Sequence, residues 1–215
     1  GPEQCDGESW CDSDCTGTPP PCASAAGGCP ELNFVRIEGG SFMMGDQRSS
    51  PDSNEIPIHN VNVATFEMMQ SEITVAQYRA CVNASVCSTP GTSSYCTWSS
   101  NPSSQEDHPI NCVSWRQLME FAAWVGARLP TEGEWEYAAR GEGQDIIYPW
   151  GDNSPACSLA NYSGCVGSTS PVCLHPTGST SQGLCDMAGN VWEWVQDEWH
   201  TNYNGAPNSG GWCTG

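Results

Sequence analysis

Cysteine is the residue type that most restricts the chemistry open to this 215-residue chain. Its 14 cysteines lie in polar loops rich in Gly and Ser, and they form neither paired C-x-x-C knuckles nor clusters with the histidines, so the pattern does not indicate a zinc cage. An even number of cysteines in such surroundings is typical of disulfide bonds made in an oxidising compartment. We therefore expect a secreted, extracellular protein stapled by disulfides.

The charge of the chain points to divalent cations rather than to polyanions. There are 25 Asp and Glu against 6 Lys and Arg, a net charge of −19, and each of the six cations is an arginine. The lack of lysine excludes Schiff-base chemistry and a P-loop lysine. Such an acidic chain repels nucleic acid and anionic membrane surfaces. With no run of 18 apolar residues, we also expect no membrane insertion.

Three familiar catalytic arrangements find no support in the residue pattern. Glu132, Glu134 and Glu136 alternate along a predicted helix, where side chains two positions apart diverge by about 200°. We expect the first two to complement the positive helix N-terminus instead. No G-x-S-x-G turn suggests a serine hydrolase. His108 and His200 have no partner at a useful spacing, so they are predicted to be surface or hydrogen-bonded histidines rather than catalytic bases.

The elements that would position any site are short strands and three helices. Each helix is predicted from a capping box, in which a Ser or Thr side chain and a Glu or Gln three residues later satisfy backbone donors: Thr74 with Gln77, Ser114 with Gln117, and Thr131 with Glu134. Strands are predicted in 34–46, in 59–69 and in "VWEWV" at 191–195. Short strands around helices, with long loops between them, indicate an α+β fold.

Aromatic residues are predicted to lie mostly in the core. Trp115, Trp124 and Trp135 fall on the helices, and buried aromatics are commoner than platforms for sugar rings. In a strand over 191–195, Trp192 and Trp194 would point to opposite faces, so at most one of them would face outward if the other is buried. A glycan ligand thus remains a lesser hypothesis.

Composition divides the chain at about residue 30. Residues 1–30 are predicted to be a Cys-rich N-terminal segment, which cannot build a core because it has almost no aliphatic residues, and 31–215 a globular domain. The five cysteines of the segment are Cys5, Cys11, Cys15, Cys22 and Cys29; their odd number requires at least one to pair elsewhere or stay free. Farther along, Cys157 with Cys165 and Cys173 with Cys185 are easy local bridges. Asn83-Ala-Ser and Asn161-Tyr-Ser are acceptor sequences typical of a glycoprotein.

Six segments, taken in order, carry a resemblance to a known family: "FVRIEGGSFMMGD", "SEITVAQYRAC", "HPINCVSWRQLMEFAAWVGA", "RLPTEGEWEYAARG", "YPWGD" and "CDMAGNVWEWVQDEW". Together they resemble the formylglycine-generating enzyme, or sulfatase-modifying factor, family from about residue 33 to 215. The resemblance implies a disulfide-stapled, loop-rich variant of the C-type lectin fold.

One departure from the family bears on catalysis. The enzymes continue beyond the region matching "APNSGGW" into an Arg-Gly-Gly-Ser strand, and the stretch that follows carries two cysteines that bind copper(I) and oxidise a substrate cysteine to formylglycine. The present sequence stops at Gly215, so we expect the domain to be incomplete at its C-terminus. Cys213 is not assigned a copper role and is predicted to be a disulfide partner.

Two functions follow from the resemblance and this departure. The first is a secreted, non-catalytic structural or binding module, which could assemble into oligomers or fibres by pairing an open sheet edge with copies of itself or with a strand-donating segment. The alternative is a copper-dependent oxidase of sulfatase cysteines whose catalytic segment is missing here; copper would be a cofactor only if that segment exists.

Calcium is the cofactor that the resemblance implies for this chain. Carried over residue by residue, one site would use Asp186, Gly189, Val191 and Glu193, the middle two through their carbonyl oxygens. A second site would use Asn161 and the carbonyl of Tyr162. These oxygen donors suit a hard cation. The competing interpretation is that Asp186 caps a turn and Glu193 lies in solvent beside the strand.

Overall fold

A computed structural model of the chain describes residues 22, 28–46, 48, 51–209 and 211. Its strands are β1 (Phe34–Ile37), β2 (Gly40–Met44), β3 (His59–Val63) and β4 (Phe66–Met69), and its α-helices are α1 (Val75–Asn83), α2 (Trp115–Trp124) and α3 (Glu132–Ala139). Short 3₁₀ turns lie at Ser53–Glu55 and Pro176–Gly178. Within these described residues, no helix is long and apolar enough to cross a membrane.

The strands form two small antiparallel sheets. In one, β1 pairs with β4, and in the other, β2 pairs with β3. Alternation sets which side faces inward: Phe42 and Met44 of β2, and Val61 and Val63 of β3, are buried while their neighbours are exposed or half-buried. This period of two is the pattern expected of a half-buried sheet.

The three predicted capping boxes are confirmed. At Thr74, Ser114 and Thr131 the cap side chain accepts from the backbone N–H three residues on, and the residue at that position returns a bond to the cap N–H. Each box satisfies donors that would otherwise be unpaired at the start of a helix. The helix starts were therefore readable from sequence.

Two hydrophobic clusters stabilise the fold. The first joins the inward faces of the sheets to α3 and includes Ile37, Val61, Tyr137 and Leu184. The second joins α1 to α2 and to the loop that follows α1; its members include Tyr78, Cys81, Trp98, Phe121 and Trp124. Tyr78 and Phe121 stack with their ring centroids 5.9 Å apart, and Phe121 meets Trp124 edge to face at 6.0 Å.

Beyond α3 the chain is largely irregular, and the strand predicted over 191–195 is wrong. Residues 191–195 form no strand. The carbonyl of Val195 accepts the indole N–H of Trp115 at 2.8 Å, and the indole N–H of Trp194 donates to the carbonyl of Val113 at 3.1 Å. Trp194 and Trp115 thus hold this segment against the start of α2, and the apolar alternation in "VWEWV" does not report the pleat of a strand.

Disulfides staple the loops, as expected. The described residues contain five: Cys22–Cys29, Cys81–Cys87, Cys96–Cys112, Cys157–Cys165 and Cys173–Cys185. The last two confirm the local pairs predicted from sequence, and the protein has the disulfide-stapled α+β fold that was expected. The predictions for Cys5, Cys11, Cys15 and Cys213, and with them the odd count of the N-terminal segment, lie outside the described residues.

Candidate functional site

Glu72 is the most unusual ionisable residue in the described part of the chain. Both of its carboxylate oxygens are buried, and neither has a hydrogen-bond partner. Burial, followed by the nearby carboxylates of Asp186 and Glu193, raises the pKa of Glu72 to about 9. The side chain of Asn190 is near enough to oppose this rise, but it does not reach hydrogen-bond geometry. A buried, unpaired carboxyl costs free energy in the folded state unless something neutralises it.

The backbone around Glu72 is fixed by several segments. The Gln70 carbonyl accepts the N–H of Cys185 at 2.7 Å, the Ile73 carbonyl accepts the N–H of Ile110 at 2.8 Å, and Thr74 caps α1 immediately afterwards. The first of these bonds joins the segment before α1 to the loop at 184–190. Glu72 is therefore buried by a segment more than 100 positions away in sequence.

Asp186 belongs to that loop, and one of its two carboxylate oxygens already accepts a hydrogen bond. Its Oδ2 accepts the backbone N–H of Cys173 at 2.6 Å, so the bond spans loops rather than closing a local turn. Asp186 also has a left-handed backbone, with φ of 55°. Asp and Asn tolerate this region better than most residues. One carboxylate oxygen is thus held by the protein, and the other has no such bond described.

Glu193 is the third carboxylate. Its Oε2 accepts the indole N–H of Trp135 at 3.1 Å. The residue as a whole is exposed, whereas the surroundings of the carboxyl group raise its pKa to about 7, chiefly by burial and against the effect of the Trp135 bond. The Trp135 contact supports a carboxyl that points toward α3 while other atoms of the residue meet solvent.

Gly189 closes the loop against the segment that contains Asn161. It has a φ of +95°, and a Cβ at this position would lie 2.5 Å from the carbonyl oxygen of Asn161. The next N–H, from Asn190, donates to that same oxygen at 2.7 Å, and the Asn190 side chain exchanges two bonds with the backbone of Ser170. Only glycine fits this close approach without strain.

The first predicted site is thus placed in one loop, with a further carboxylate supplied from elsewhere. Two of its four residues, Asp186 and Glu193, lie near Glu72, a carboxylate that sequence reasoning missed; Gly189 and Val191 belong to the same stretch of chain. No His, Cys, Asp or Glu group of three among the described residues is arranged to hold a metal ion by side chains alone. A cation here would therefore need backbone carbonyl oxygens in addition to carboxylates, as calcium sites commonly use.

The second predicted site is less open. The Asn161 side chain is buried and donates through Nδ2 to the Ser168 carbonyl at 2.7 Å, while its own carbonyl accepts from Asn190. The Tyr162 carbonyl already accepts the N–H of Cys165 at 3.0 Å. Each carbonyl oxygen retains one lone pair, but each already accepts a backbone hydrogen bond within the loops.

Comparison with known proteins identifies the family. A family model described as "Sulfatase-modifying factor enzyme 1-like domain" matches residues 24–215. The chain belongs to this family. It is 30% identical to a formylglycine-generating enzyme of Mycobacterium tuberculosis, with 84% of this chain and 79% of the relative covered. It is also 31% identical to a hercynine oxygenase of Mycolicibacterium smegmatis, with 75% of this chain but only 44% of that relative covered.

A solved structure agrees with this assignment. PvdO from Pseudomonas aeruginosa superimposes with a TM-score of 0.66 at 30% sequence identity, covering 82% of this chain and 75% of that one. The Treponema denticola variable protein 1 reaches a TM-score of 0.62 at 22% identity, covering 78% and 73%; it shares the fold. The expected family and its fold are both confirmed.

The family's copper chemistry finds no ligand in the described part of this member. The copper(I) centre that the resemblance implies uses two cysteine thiolates, a soft donor that suits this ion, and all ten described cysteines are in disulfides. These residues do not fit copper, and we derive no step through it. The oxygen donors around Glu72 do fit calcium, because the orphaned carboxylate provides the negative charge that a hard cation needs.

The stretch of chain that contains Glu193 also carries three exposed tryptophans, Trp192, Trp194 and Trp199, which are together called the tryptophan surface. These residues are 101%, 49% and 75% exposed. The expectation that at most one of the first two faces outward is wrong, because it depended on the strand that does not form. Glu193 stands between Trp192 and Trp194, so the tryptophan surface and the candidate cation site share one loop.

The two glycosylation sequences differ in access. The Nδ2 of Asn161, the atom that would carry a glycan, is engaged with Ser168 in a buried residue. Asn83 ends α1 and is exposed, as is Ser85. Of the two, Asn83 alone offers its side chain to solvent.

Proposed function

We propose that this member of the family is a secreted, non-catalytic binding module in which calcium holds the loop that presents the tryptophan surface. One observation carries the proposal: the buried, unpartnered carboxylate of Glu72 meets the loop of Asp186 and Glu193, and Glu193 is flanked by two exposed tryptophans. A cation bound there would neutralise Glu72 and order Trp192 and Trp194 together.

The donors suit calcium by kind. Calcium takes about six to eight oxygen ligands and accepts carboxylates and backbone carbonyls alike. Because these three carboxylates do not form a three-ligand metal site on their own, Glu72 and Asp186 would bind the ion directly and Glu193 through water, and Gly189 and Val191 would supply carbonyls. The site at Asn161 and Tyr162 is the weaker candidate, because its carbonyls already accept hydrogen bonds.

Exposed indoles support a glycan as the class of ligand. A flat, apolar ring with a polar edge stacks on the flat face of a sugar or on another apolar ring, and solvent-exposed groups of large apolar side chains commonly mark binding sites. A neutral glycan meets no charge penalty from a chain of net charge −19. We therefore take a glycan as the first partner to test.

Self-assembly is a second candidate, and a specific observation favours it. Within the described residues each strand pairs on one side only, and an unpaired strand edge can recruit another strand. Repulsion between two chains of net charge −19 opposes association, so assembly would strengthen with salt or calcium.

Two further parts of the proposal rest on the cysteines. Five disulfides support an oxidising, extracellular location. A chain whose described cysteines are all oxidised lacks free thiolates there for copper(I), which supports a non-catalytic role. The alternative, oxidation of sulfatase cysteines, would need two thiolates outside the ten paired cysteines.

The test is binding to an immobilised glycan array in calcium and in chelator. We expect binding by the wild-type chain in calcium, loss of binding in chelator, and loss in W192A/W194A. Y95A, which removes another well-exposed aromatic side chain (78%), is the control and should bind normally. No glycan bound in calcium, with concentration-dependent oligomers seen by light scattering, would replace the glycan by a second copy. Conversion of a cysteine-containing sulfatase peptide to formylglycine after copper(I) loading would overturn the non-catalytic role.

A further inference from the structure

Asp186 is enclosed in a small ring that contains a disulfide. Its backbone follows directly from Cys185, the sulfur of Cys185 is bonded to Cys173, and the backbone N–H of Cys173 donates to Asp186 Oδ2 at 2.6 Å. The ring therefore closes through one peptide bond, one disulfide and one charge-assisted hydrogen bond. Bonds of this last kind are among the stronger ones in proteins.

The ring holds two of its residues in an unfavourable backbone conformation. Cys173 and Asp186 both have positive φ, 58° and 55°, and for Cys this region is unfavourable. Such conformations persist only where the surrounding structure imposes them. The disulfide is the covalent part of that constraint, since it holds the two segments with their Cα atoms 5.0 Å apart.

Other contacts keep the neighbouring loop in place without fixing the carboxylate. Asn190 binds the backbone of Ser170 through its side chain, and its N–H binds the Asn161 carbonyl. These bonds hold residues 189 and 190, whereas the orientation of the Asp186 carboxylate depends on Cys173. Loss of the disulfide should thus disturb Asp186 more than it disturbs the fold.

We propose that the Cys173–Cys185 disulfide positions Asp186 for calcium, so that cation affinity depends on the oxidation state of this one bond. The inference rests on the proposed calcium site. Reduction by a dithiol transfers two electrons and two protons to the disulfide, breaks its sulfur–sulfur bond and leaves two cysteine thiols, while the reductant becomes a cyclic disulfide. The site would be strong in an oxidising space and weak in a reducing one.

The experiment compares C173S/C185S with C96S/C112S and the wild-type chain. The control removes a disulfide of similar span, 16 positions against 12, that is not part of the Asp186 ring. Calcium affinity is measured by calorimetry and, independently, from the calcium concentration at which the melting temperature rises, which remains usable for a weakened variant. We expect the dissociation constant to rise about tenfold or more in C173S/C185S, as for loss of a group that orients a metal ligand, and to stay near wild type in C96S/C112S.

A double-mutant cycle with D186N tests whether the disulfide acts by positioning the Asp186 carboxylate or by a general loosening of the loop. If the disulfide acts through the carboxylate, removing it from D186N should change calcium affinity much less than removing it from the wild type. Equal affinities in the wild type and C173S/C185S would overturn this inference and leave the calcium site standing. If calcium changed neither the melting temperature of the wild-type chain nor its calorimetric heats, the proposed function would instead be overturned.

Discussion

The chain up to the end of α3 and the chain beyond it are stabilised in different ways. Before residue 140, capped helices and paired strands bury apolar side chains in two clusters. After it, the backbone is mostly irregular and is held by two disulfides, carboxylate and amide bonds, and indole N–H groups. Disulfides occur on both sides of this boundary, and Cys81–Cys87 lies within the second apolar cluster. The contrast teaches that the loops that carry the candidate site depend mainly on specific bonds that a metal, a proton or a reductant can alter, whereas the earlier region depends mainly on buried apolar surface.

The largest effect should come from the core. Trp124 is fully buried between Phe121 and the other members of the α1–α2 cluster. W124A should lower the free energy of unfolding by about 3–5 kcal/mol, because it removes a large buried side chain and leaves a cavity. Denaturant titration measures this directly.

The matched control for W124A is W192A, which truncates a fully exposed tryptophan. It should change the free energy of unfolding by no more than about 0.5 kcal/mol. A large loss in W192A would show that the tryptophan surface belongs to the core and would remove its role as a free binding face.

Glu72 tests whether the site is strained without a cation. In chelator, its pKa of about 9 in the folded state exceeds the ordinary 4.5, so the folded state binds this proton more tightly. Its contribution to stability is complete below about pH 4.5 and is lost as pH rises toward 9. Glu193, raised to about 7, adds to the same slope.

E72Q should therefore flatten this decline and stabilise the metal-free protein at pH 8, by about 2 kcal/mol or more, because folding no longer requires this side chain to take up a proton that the unfolded chain has lost. It should also abolish stabilisation by calcium. E67Q, at an exposed position of β4, is the control. It should change neither the decline of stability with pH nor the stabilisation by calcium. The strained-site interpretation fails if E72Q and the wild type lose stability equally between pH 5 and 9 in chelator.

The region up to the end of α3 could be predicted from sequence because its bonds join residues that are close in sequence. The region beyond α3 was difficult because its bonds join distant residues. The capping boxes at Thr74, Ser114 and Thr131 are bonds between residues three apart, so the sequence contains both partners. The short bridges at Cys157 and Cys173 were predictable for the same reason. Glu72 carries no such local signal, because the side chains that act on its carboxyl group, those of Asp186, Asn190 and Glu193, are more than 100 positions away in sequence. "VWEWV" misled because the indoles of Trp115 and Trp194 bond to chain segments about 80 positions away.

The contact between Gly189 and the Asn161 carbonyl, where the two predicted cation sites meet, gives the test with the smallest expected effect. G189A would place a Cβ 2.5 Å from the carbonyl oxygen of Asn161, at a φ of +95°. G183A adds the same methyl group at a φ of +92° with nothing within 4 Å, so both variants bear similar left-handed strain. G189A should be less stable than G183A by about 1–2 kcal/mol, the usual scale of a local backbone distortion. It should also bind calcium more weakly, because moving residue 189 shifts a proposed carbonyl ligand and its neighbours Asp186 and Val191. Thermal unfolding with and without calcium measures both effects. If the two variants were equally stable and bound calcium alike, the approach of Gly189 to Asn161 would have no part in shaping the loop, and the irregular region would tolerate change at its seam as a surface loop does.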